Sequence, residues 1–366
     1  MINRRRVFVG AGRGLETWTR EVDEPLAGEI LLRTHIAGVC GTDAHRLRGD
    51  LPDPGQPVTF GHEGVGRVEA LGDGISTDHS GVDLRVGDLV YWTPSGSRPS
   101  APPSIGWPPP AGVGGPAAFQ DYVTLPRSNV YYRIPDGCAP EHVIAFGCAM
   151  PTALGGLARL GGIPTGATVV VQGSGPVGLA STLLAGASTA RQVIVIGDPD
   201  DRLRAATRLG ATTVIPLVGT TIDERRSIVL DLTEGHGAEV VIEAAGQLDA
   251  FDEGLGLLAE GGRYGVLGLY SGRGTVAFDP VRINNLSLAI VGSMGPSSFD
   301  DYRTAVHLAA RFGEPLGLDR LITHRFGLDQ LEEAIAVAGR GEAIKAVVIP
   351  ALDAPGADQR GSHPHD

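Results

Sequence analysis

Cysteine and lysine are the residues this chain nearly does without. Its 366 residues include three cysteines, Cys40, Cys138 and Cys148. They are too few, and odd in number, for a disulfide framework. Free thiols in a reducing cytoplasm are the expectation, available for metal binding or catalysis. Lys345 is the single lysine. No run approaches about 18 apolar residues, so no membrane-spanning helix is expected. The arginine-bearing start, Met1 to Gly10, has no apolar stretch of the kind that marks a secretion signal. Positive charge is outweighed: 30 Lys and Arg against 42 Asp and Glu give a formal charge of −12. That balance disfavours nucleic acid and membrane as partners, since both would be repelled over most of the surface.

What is present is an ordinary globular composition, 42% apolar and 20% charged. It excludes disorder over the whole length. The length suits two domains, each able to bury its own core. Glycine is the outlier: 54 residues, about twice the usual frequency. Such a chain makes many tight turns and close backbone approaches.

The rhythm changes near residue 150. Residues 1–149 read as β-rich, with short apolar runs such as Glu29–Thr34, Gly64–Ala70 and Asp88–Trp92 between Gly, Pro and Asp. Residues 93–117 are nearly all Pro, Gly, Ser and Ala and read as a long irregular loop. From 150 onward, apolar runs at 167–172, 193–197, 213–216, 239–243, 263–269 and 288–292 alternate with helical patterns at 176–187, 201–210, 222–234 and 248–260. Six strands joined by helices imply a doubly wound parallel sheet over 150–295. Helices near 300–312 and 328–339 and a strand at 344–349 follow, and 351–366 reads as a polar tail that frays.

The strand 167–172 runs into Gly173-Ser174-Gly175-Pro176-Val177-Gly178 and then a helix. Gly173 makes the turn, Gly175 admits a pyrophosphate, and Gly178 permits close helix–strand packing, with the helix N-terminus facing the phosphates. The pattern is weak alone, but its place inside a βαβ unit makes it a dinucleotide site. Asp198, about 20 residues past Gly178, suits the ribose hydroxyls of NAD. It also suits a helix cap with Asp200 and Asp201. Arg202 suits a 2′-phosphate, so NAD is preferred with NADP kept open.

The N-terminal part carries Cys40-Gly41-Thr42-Asp43-Ala44-His45 and Gly61-His62-Glu63-Gly64, and Cys148 follows at the domain junction. Two thiolates and an imidazole are a ligand set for a catalytic zinc with one open position. From spacing alone the trio is weak, because a lone cysteine is usually a buried structural one. The segment GHEGVGRVEALG at 61–72, the Cys-Gly-Thr-Asp-x-His run and GSGPVG agree in order and spacing. Together they resemble the zinc-containing medium-chain alcohol dehydrogenases over residues 29–350.

The resemblance implies a GroES-like β-barrel catalytic domain, 1–149 and 296–366, beside a Rossmann domain, 150–295. It implies Cys40, His62 and Cys148 as zinc ligands, with Glu63 beside the metal and able to ligate it transiently. Thr42 would take the proton of the bound alcohol and His45 would relay it to solvent. Asp43 would orient His62. Thr152 would pack on the nicotinamide and Lys345 would lie near the cofactor phosphates, unless it is merely exposed at a strand end. Leu51, Trp92 and Leu269 would line the pocket. His45 also reads as a plain surface histidine and Thr42 as a helix cap. Cys138 reads as an inert turn cysteine, and His363 and His365 have no evident partner.

Two departures from the family stand out. The lobe that often holds a structural zinc on four cysteines is here the 93–117 loop, which has none, so one zinc per chain is expected. Gly197 stands where many NAD-dependent members carry an acid. The resemblance implies hydride transfer between an alcohol and NAD(P), with zinc acidifying the alcohol. The bulky apolar lining favours an apolar or cyclic secondary alcohol, and Cys148 in place of Glu argues against a polyol. A homodimer or homotetramer is expected. The rivals are a zinc-free NADPH-dependent enone or quinone reductase, which the Cys, His and Glu set argues against, and a non-catalytic nucleotide-binding protein.

Overall fold

The computed structural model describes residues 1–94, 116–271 and 274–353. Most of the 93–117 stretch and most of the tail, with His363 and His365, lie outside the described residues. The chain forms two compact units, Met1–Cys148 with Ser298–Asp366, and Ala149–Ser297.

The first unit opens with β1 (Ile2–Phe8), β2 (Leu15–Glu21), β3 (Ile30–Gly38), α1 (Gly41–Leu47), β4 (Val58–Thr59), β5 (Gly64–Leu71), β6 (Leu89–Trp92), β7 (Tyr122–Leu125), β8 (Tyr131–Arg133) and α2 (Pro140–Ile144). The second contains α3 (Ala149–Arg159), β9 (Thr168–Gln172), α4 (Pro176–Gly186), β10 (Gln192–Gly197), α5 (Asp200–Arg208), β11 (Thr213–Pro216), α6 (Ile222–Leu232), β12 (Ala238–Glu243), α7 (Leu248–Gly256), β13 (Leu258–Val266), α8 (Pro280–Asn285) and β14 (Ala289–Gly292). The chain then returns to the first unit with α9 (Asp300–Leu316), β15 (Ile322–Phe326), α10 (Leu331–Gly339) and β16 (Lys345–Val348).

The first unit is a GroES-like β structure. A seven-stranded sheet runs β15-β16-β3-β5-β6-β8 with β7 on β3, and a three-stranded sheet runs β2-β1-β4. Between them lies one apolar core that includes Phe8, Phe60, Phe119 and Trp92. The Phe60 ring centroid is 5.8 Å from that of Phe8 and 6.2 Å from that of Phe119. The C-terminal strand β16 enters this sheet against β3, pairing Val347 with Gly38. That pairing puts the start of β16 beside the end of β3, where α1 begins.

The second unit is a six-stranded sheet, β11-β10-β9-β12-β13-β14, parallel throughout. Its centre strand β9, Thr-Val-Val-Val-Gln, is buried at every residue, as expected of a strand covered on both faces by helices. Numbered from β9 the order is 3-2-1-4-5-6, the Rossmann order. The helix expected over 248–260 stops at Gly256. Leu258 pairs with Ala238 and draws the chain into β13, which restarts at Arg263 opposite Val240 after a register shift. β13 ends at Val266, so 267–269, expected as strand, is loop. Among the described residues no helix is long and apolar enough to cross a membrane.

Candidate active site

In the first unit, Cys40, His62, Glu63 and Cys148 present ligand atoms that all lie within 4.8 Å of one another. They come from separate places in the chain. Cys40 is the N-cap of α1, so its thiol sits where backbone N–H groups converge. His62 and Glu63 immediately precede β5, and Cys148 lies between α2 and α3. The two sulfurs are 3.6 Å apart, well beyond the roughly 2.05 Å of a disulfide. For a tetrahedral ion with sulfurs at about 2.3 Å, that edge would be about 3.8 Å. Spacing and donor set therefore both fit zinc.

The surrounding contacts fix each ligand. Asp43, itself buried, accepts the Cys40 N–H at 2.9 Å with one oxygen. Its other oxygen lies 3.4 Å from His62 Nδ1, which leaves Nε2 as the metal-facing nitrogen. Glu63 accepts the Cys148 N–H at 3.1 Å and forms an ion pair with Lys345, both side chains 1% exposed. Room for that carboxylate comes from two glycines: a Cβ on Gly38 or Gly147 would stand 1.9 or 2.1 Å from Glu63 Oε2. Tyr91 donates to the Gly147 carbonyl at 3.0 Å and anchors the turn before Cys148.

These groups set one another's acidity. The hydrogen bond with Cys148 holds the Cys40 thiol well below its ordinary range. The same contact, together with burial, pushes Cys148 well above it. Burial disfavours charge on His62, but Asp43 and Cys40 outweigh it and raise the imidazole well above its usual value. Burial likewise opposes charge on Lys345, and Glu63 with the two cysteines overcomes it.

Thr42 Oγ1 lies 3.6 Å from Cys40 Sγ. It is not the cap of α1, which is Cys40. His45, one turn further along α1, is no free surface histidine: its Nδ1 lies 3.1 Å from Asp50 Oδ2, and Arg48 binds the same oxygen. Two expectations need correction. Lys345, expected near the cofactor phosphates or else exposed at a strand end, is neither free for a phosphate nor exposed: its ammonium is buried against Glu63. Trp92 is wholly buried in the barrel core and donates to the Pro116 carbonyl at 3.3 Å. Gly64 makes room for it, since a Cβ there would meet its ring at 2.1 Å. Leu51 is buried in the segment after α1. Cys138 is half-buried, and burial raises its thiol pKa, which suits an unreactive cysteine. The Lys345–Glu63 pair and Tyr91 escaped the sequence reading. Their partners are far away in the chain and no spacing marks them.

In the second unit, β9 ends at Gln172 and Gly173 turns with φ +101°. Gly175 caps α4, with Pro176 opening the helix and Val177 and Gly178 in its first turn. A Cβ on Gly178 would sit 1.8 Å from the Gly173 oxygen, whereas a Cβ on Gly175 would meet no atom within 4 Å. The first glycine is required by packing. The second leaves open space above a helix N-terminus, which fits a pyrophosphate. Gly197 also has a steric cause: a Cβ there would lie 2.6 Å from Ser174 Oγ. That hydroxyl donates to the Asp198 carbonyl at 2.6 Å, so the acid stands one residue later. Asp198 does not cap α5, whose N-cap is Pro199; one carboxylate oxygen accepts the Val218 N–H at 3.0 Å. Arg202 lies half-buried in the first turn of α5, Thr152 on α3, and Leu269 half-buried beyond β13.

A barrel with a buried Cys-His-Glu-Cys cluster and a Rossmann sheet with its glycine loop define the class of zinc-type alcohol dehydrogenases. Two family models match: the alcohol dehydrogenase GroES-like domain over residues 26–136 and the zinc-binding dehydrogenase over 176–311. The chain belongs to this medium-chain dehydrogenase family and is an oxidoreductase that acts on CH–OH groups with NAD(P). It is 39% identical to 5-exo-hydroxycamphor dehydrogenase of Pseudomonas putida over 359 residues, covering 95% of this chain and 99% of that protein. An alcohol dehydrogenase from Thermotoga maritima matches with a TM-score of 0.85 at 27% identity, covering 95% of this chain and 99% of the other. A protein from Sinorhizobium meliloti 1021, solved bound to NADP, matches at 0.81 and 27%, covering 96% and 100%.

Proposed function

We propose that this chain holds one catalytic zinc on Cys40, His62 and Cys148, with Glu63 beside it, and interconverts an apolar cyclic secondary alcohol and its ketone with NAD. The observation that carries the reading is the convergence of four ligand atoms within 4.8 Å. When bound, the zinc supplies Lewis acidity that lets the alcohol lose its proton near neutral pH. The chain's own residues then do the rest. Thr42 Oγ1, beside the Cys40 thiolate, accepts the alcohol proton as it gives up its own hydroxyl proton. His45, its Nδ1 held by Asp50, takes that proton on Nε2 and passes it to solvent. Asp43 fixes the His62 ring. Lys345 neutralises Glu63, so the buried carboxylate adds no uncompensated charge.

Substrate and cofactor follow more distant support. The Pseudomonas putida relative is named for a hydroxycamphor, which supports a cyclic alcohol as the substrate class, and Leu51 and Leu269 are each the kind of apolar side chain such a substrate would meet. Asp198 favours NAD, because a carboxylate there would repel a 2′-phosphate. Thr152 would pack on the nicotinamide, and Arg202 is the group that would serve NADP instead. With Cys40 and Cys148 engaged, one cysteine remains, so a four-cysteine structural zinc has no ligands and one ion per chain is expected. A cytoplasmic homodimer or homotetramer completes the reading, on the strength of the family likeness and the free thiols.

The test is metal content per chain together with turnover of NAD(H) and NADP(H) on cyclic and aliphatic secondary alcohols. One zinc, lost with activity in Cys40→Ser, is the expected result. Full activity without zinc would overturn the mechanism.

A further inference from the structure

The sheet order of the second unit reverses between β9 and β12. In an open α/β sheet the dinucleotide lies outside the C-terminal strand ends at such a point. On the β9 side stands the glycine loop. On the β12 side stands Glu243, the last residue of β12 and 0% exposed. Its Oε1 accepts the N–H groups of Ala245 and Gly246, both at 2.6 Å. Its Oε2 accepts the Tyr270 hydroxyl at 2.7 Å. Its backbone carbonyl takes the N–H groups of Leu267 and Gly268 at 2.8 and 3.1 Å.

One residue thus ties together the loop after β12 and the loop after β13. Gly268 makes the approach possible: a Cβ there would lie 2.3 Å from Gly246 N and 2.4 Å from Glu243 Oε2. The 244–246 segment in turn rests on the glycine loop. Ala244 N–H donates to the Gln172 carbonyl at 2.8 Å, and a Cβ on Gly173 would stand 2.9 Å from Ala245 N. Ser271, at the far end of the second loop, holds φ at 54°, which a non-glycine residue keeps only where its surroundings impose it. A buried carboxylate is costly unless it is hydrogen-bonded. Here the donors to its two oxygens all come from loops at the strand ends, so its effect is to shape those loops.

We propose that Glu243 is a positioning residue for the dinucleotide. With Tyr270 it fixes two loops as one wall of the switch-point crevice, the wall that receives the nicotinamide–ribose half. The inference rests on the dehydrogenase reading. The two mononucleotide halves lie on opposite sides of the switch point, and Asp198 at the end of β10 belongs to the adenosine side. Glu243 acts through Leu269, held between Gly268 and Tyr270, and touches no reacting atom itself.

The test compares binding of NADH with binding of ADP, which carries only the adenosine half, in Glu243→Ala, Glu243→Gln and Tyr270→Phe. Glu243→Ala should weaken NADH about tenfold and raise its KM more than it lowers kcat, while ADP affinity and metal content stay unchanged. Glu243→Gln should recover most of the loss, because its amide oxygen still accepts both N–H groups. Tyr270→Phe should weaken NADH about threefold. Equal weakening of NADH and ADP would mean general damage and would overturn the inference. So would unchanged NADH affinity in Tyr270→Phe, which tests the idea even where Glu243→Ala fails to fold. Wild-type protein that binds ADP but neither NADH nor NADPH would overturn the dehydrogenase reading instead.

Discussion

At the metal cluster the chain places ionisable side chains within 4.8 Å of one another and lets them set each other's charge. At the dinucleotide loop it does the opposite and withholds side chains. Gly175 faces open space and Gly178 packs on backbone, so the groups this loop would offer a dinucleotide are N–H donors fixed by a helix. A site made of side-chain chemistry is broken by a change of element or of pH. A site made of absent atoms is broken by adding one and should be indifferent to protonation. The two regions should therefore fail in different ways.

The largest effect belongs to the first region. Cys148→Ser replaces a thiolate by a hydroxyl that stays protonated at neutral pH, and should abolish metal retention and turnover. NADH affinity should survive, since the loop lies in the other unit. Loss of cofactor binding together with metal would mean that the two sites do not fail independently.

Next comes pH. In the metal-free protein His62 is held protonated by Asp43 and Cys40 against the burial that opposes it, and Cys148 keeps its thiol proton because of Cys40 and burial. Both pKa values are raised, so both protons are bound at neutral pH and both must leave when zinc binds. Zinc affinity should rise with pH, by up to about a hundredfold per unit near neutrality, as two released protons require. Chelator competition at pH 6, 7 and 8 measures it (conditions chosen to bracket neutrality). NADH affinity over the same range should stay level, since its pyrophosphate is fully ionised throughout. Asp43→Asn is a smaller step in the same region. The amide still reaches His62 without the charge, and zinc affinity should fall about 10- to 100-fold.

The same contrast explains what was legible in the sequence. The Rossmann sheet could be read because its strands are short buried apolar runs separated by helical patterns, and the glycine loop because its spacing falls between a legible strand and a legible helix. The strand β1, Ile-Asn-Arg-Arg-Arg-Val-Phe, was not singled out. Three arginines in succession do not read as a buried strand. They are held there by distant partners: Arg4 on Asp121, Arg6 on Glu332 and Arg5 over the Trp18 ring. Lys345 misled for the same reason. The resemblance puts this lone lysine near the cofactor phosphates, but Glu63, 282 residues away, and the two cysteines offset the cost of burying it in the metal cluster. The resemblance alone puts Trp92 on a pocket wall, and its neighbours in sequence carry no sign that Gly64 opens the core to it. Long-range charge pairing and close packing decide these positions, and neither leaves a periodic trace.

The smallest stability effect gives the sharpest contrast. Gly178→Ala would force a Cβ to 1.8 Å from the Gly173 oxygen and should cost about 3 kcal/mol of stability by overpacking. Any loss of cofactor binding there would be confounded with damage to the fold. Gly175→Ala differs by three positions only. Its φ of −75° suits alanine, and the added Cβ meets no protein atom within 4 Å. The melting curve should move by less than about 0.5 kcal/mol equivalent. Yet the methyl group occupies the space above the α4 N-terminus where the pyrophosphate would come closest, so NADH and ADP should both weaken about tenfold or more, and for NADH equally at pH 6 and pH 8. Zinc content should not change. Unchanged affinity for both nucleotides in Gly175→Ala would mean that the open space is not where the phosphates bind. The glycine loop would then have to be read as a packing device like Gly178, and the contrast between the two regions would reduce to chemistry on one side and mere close packing on the other.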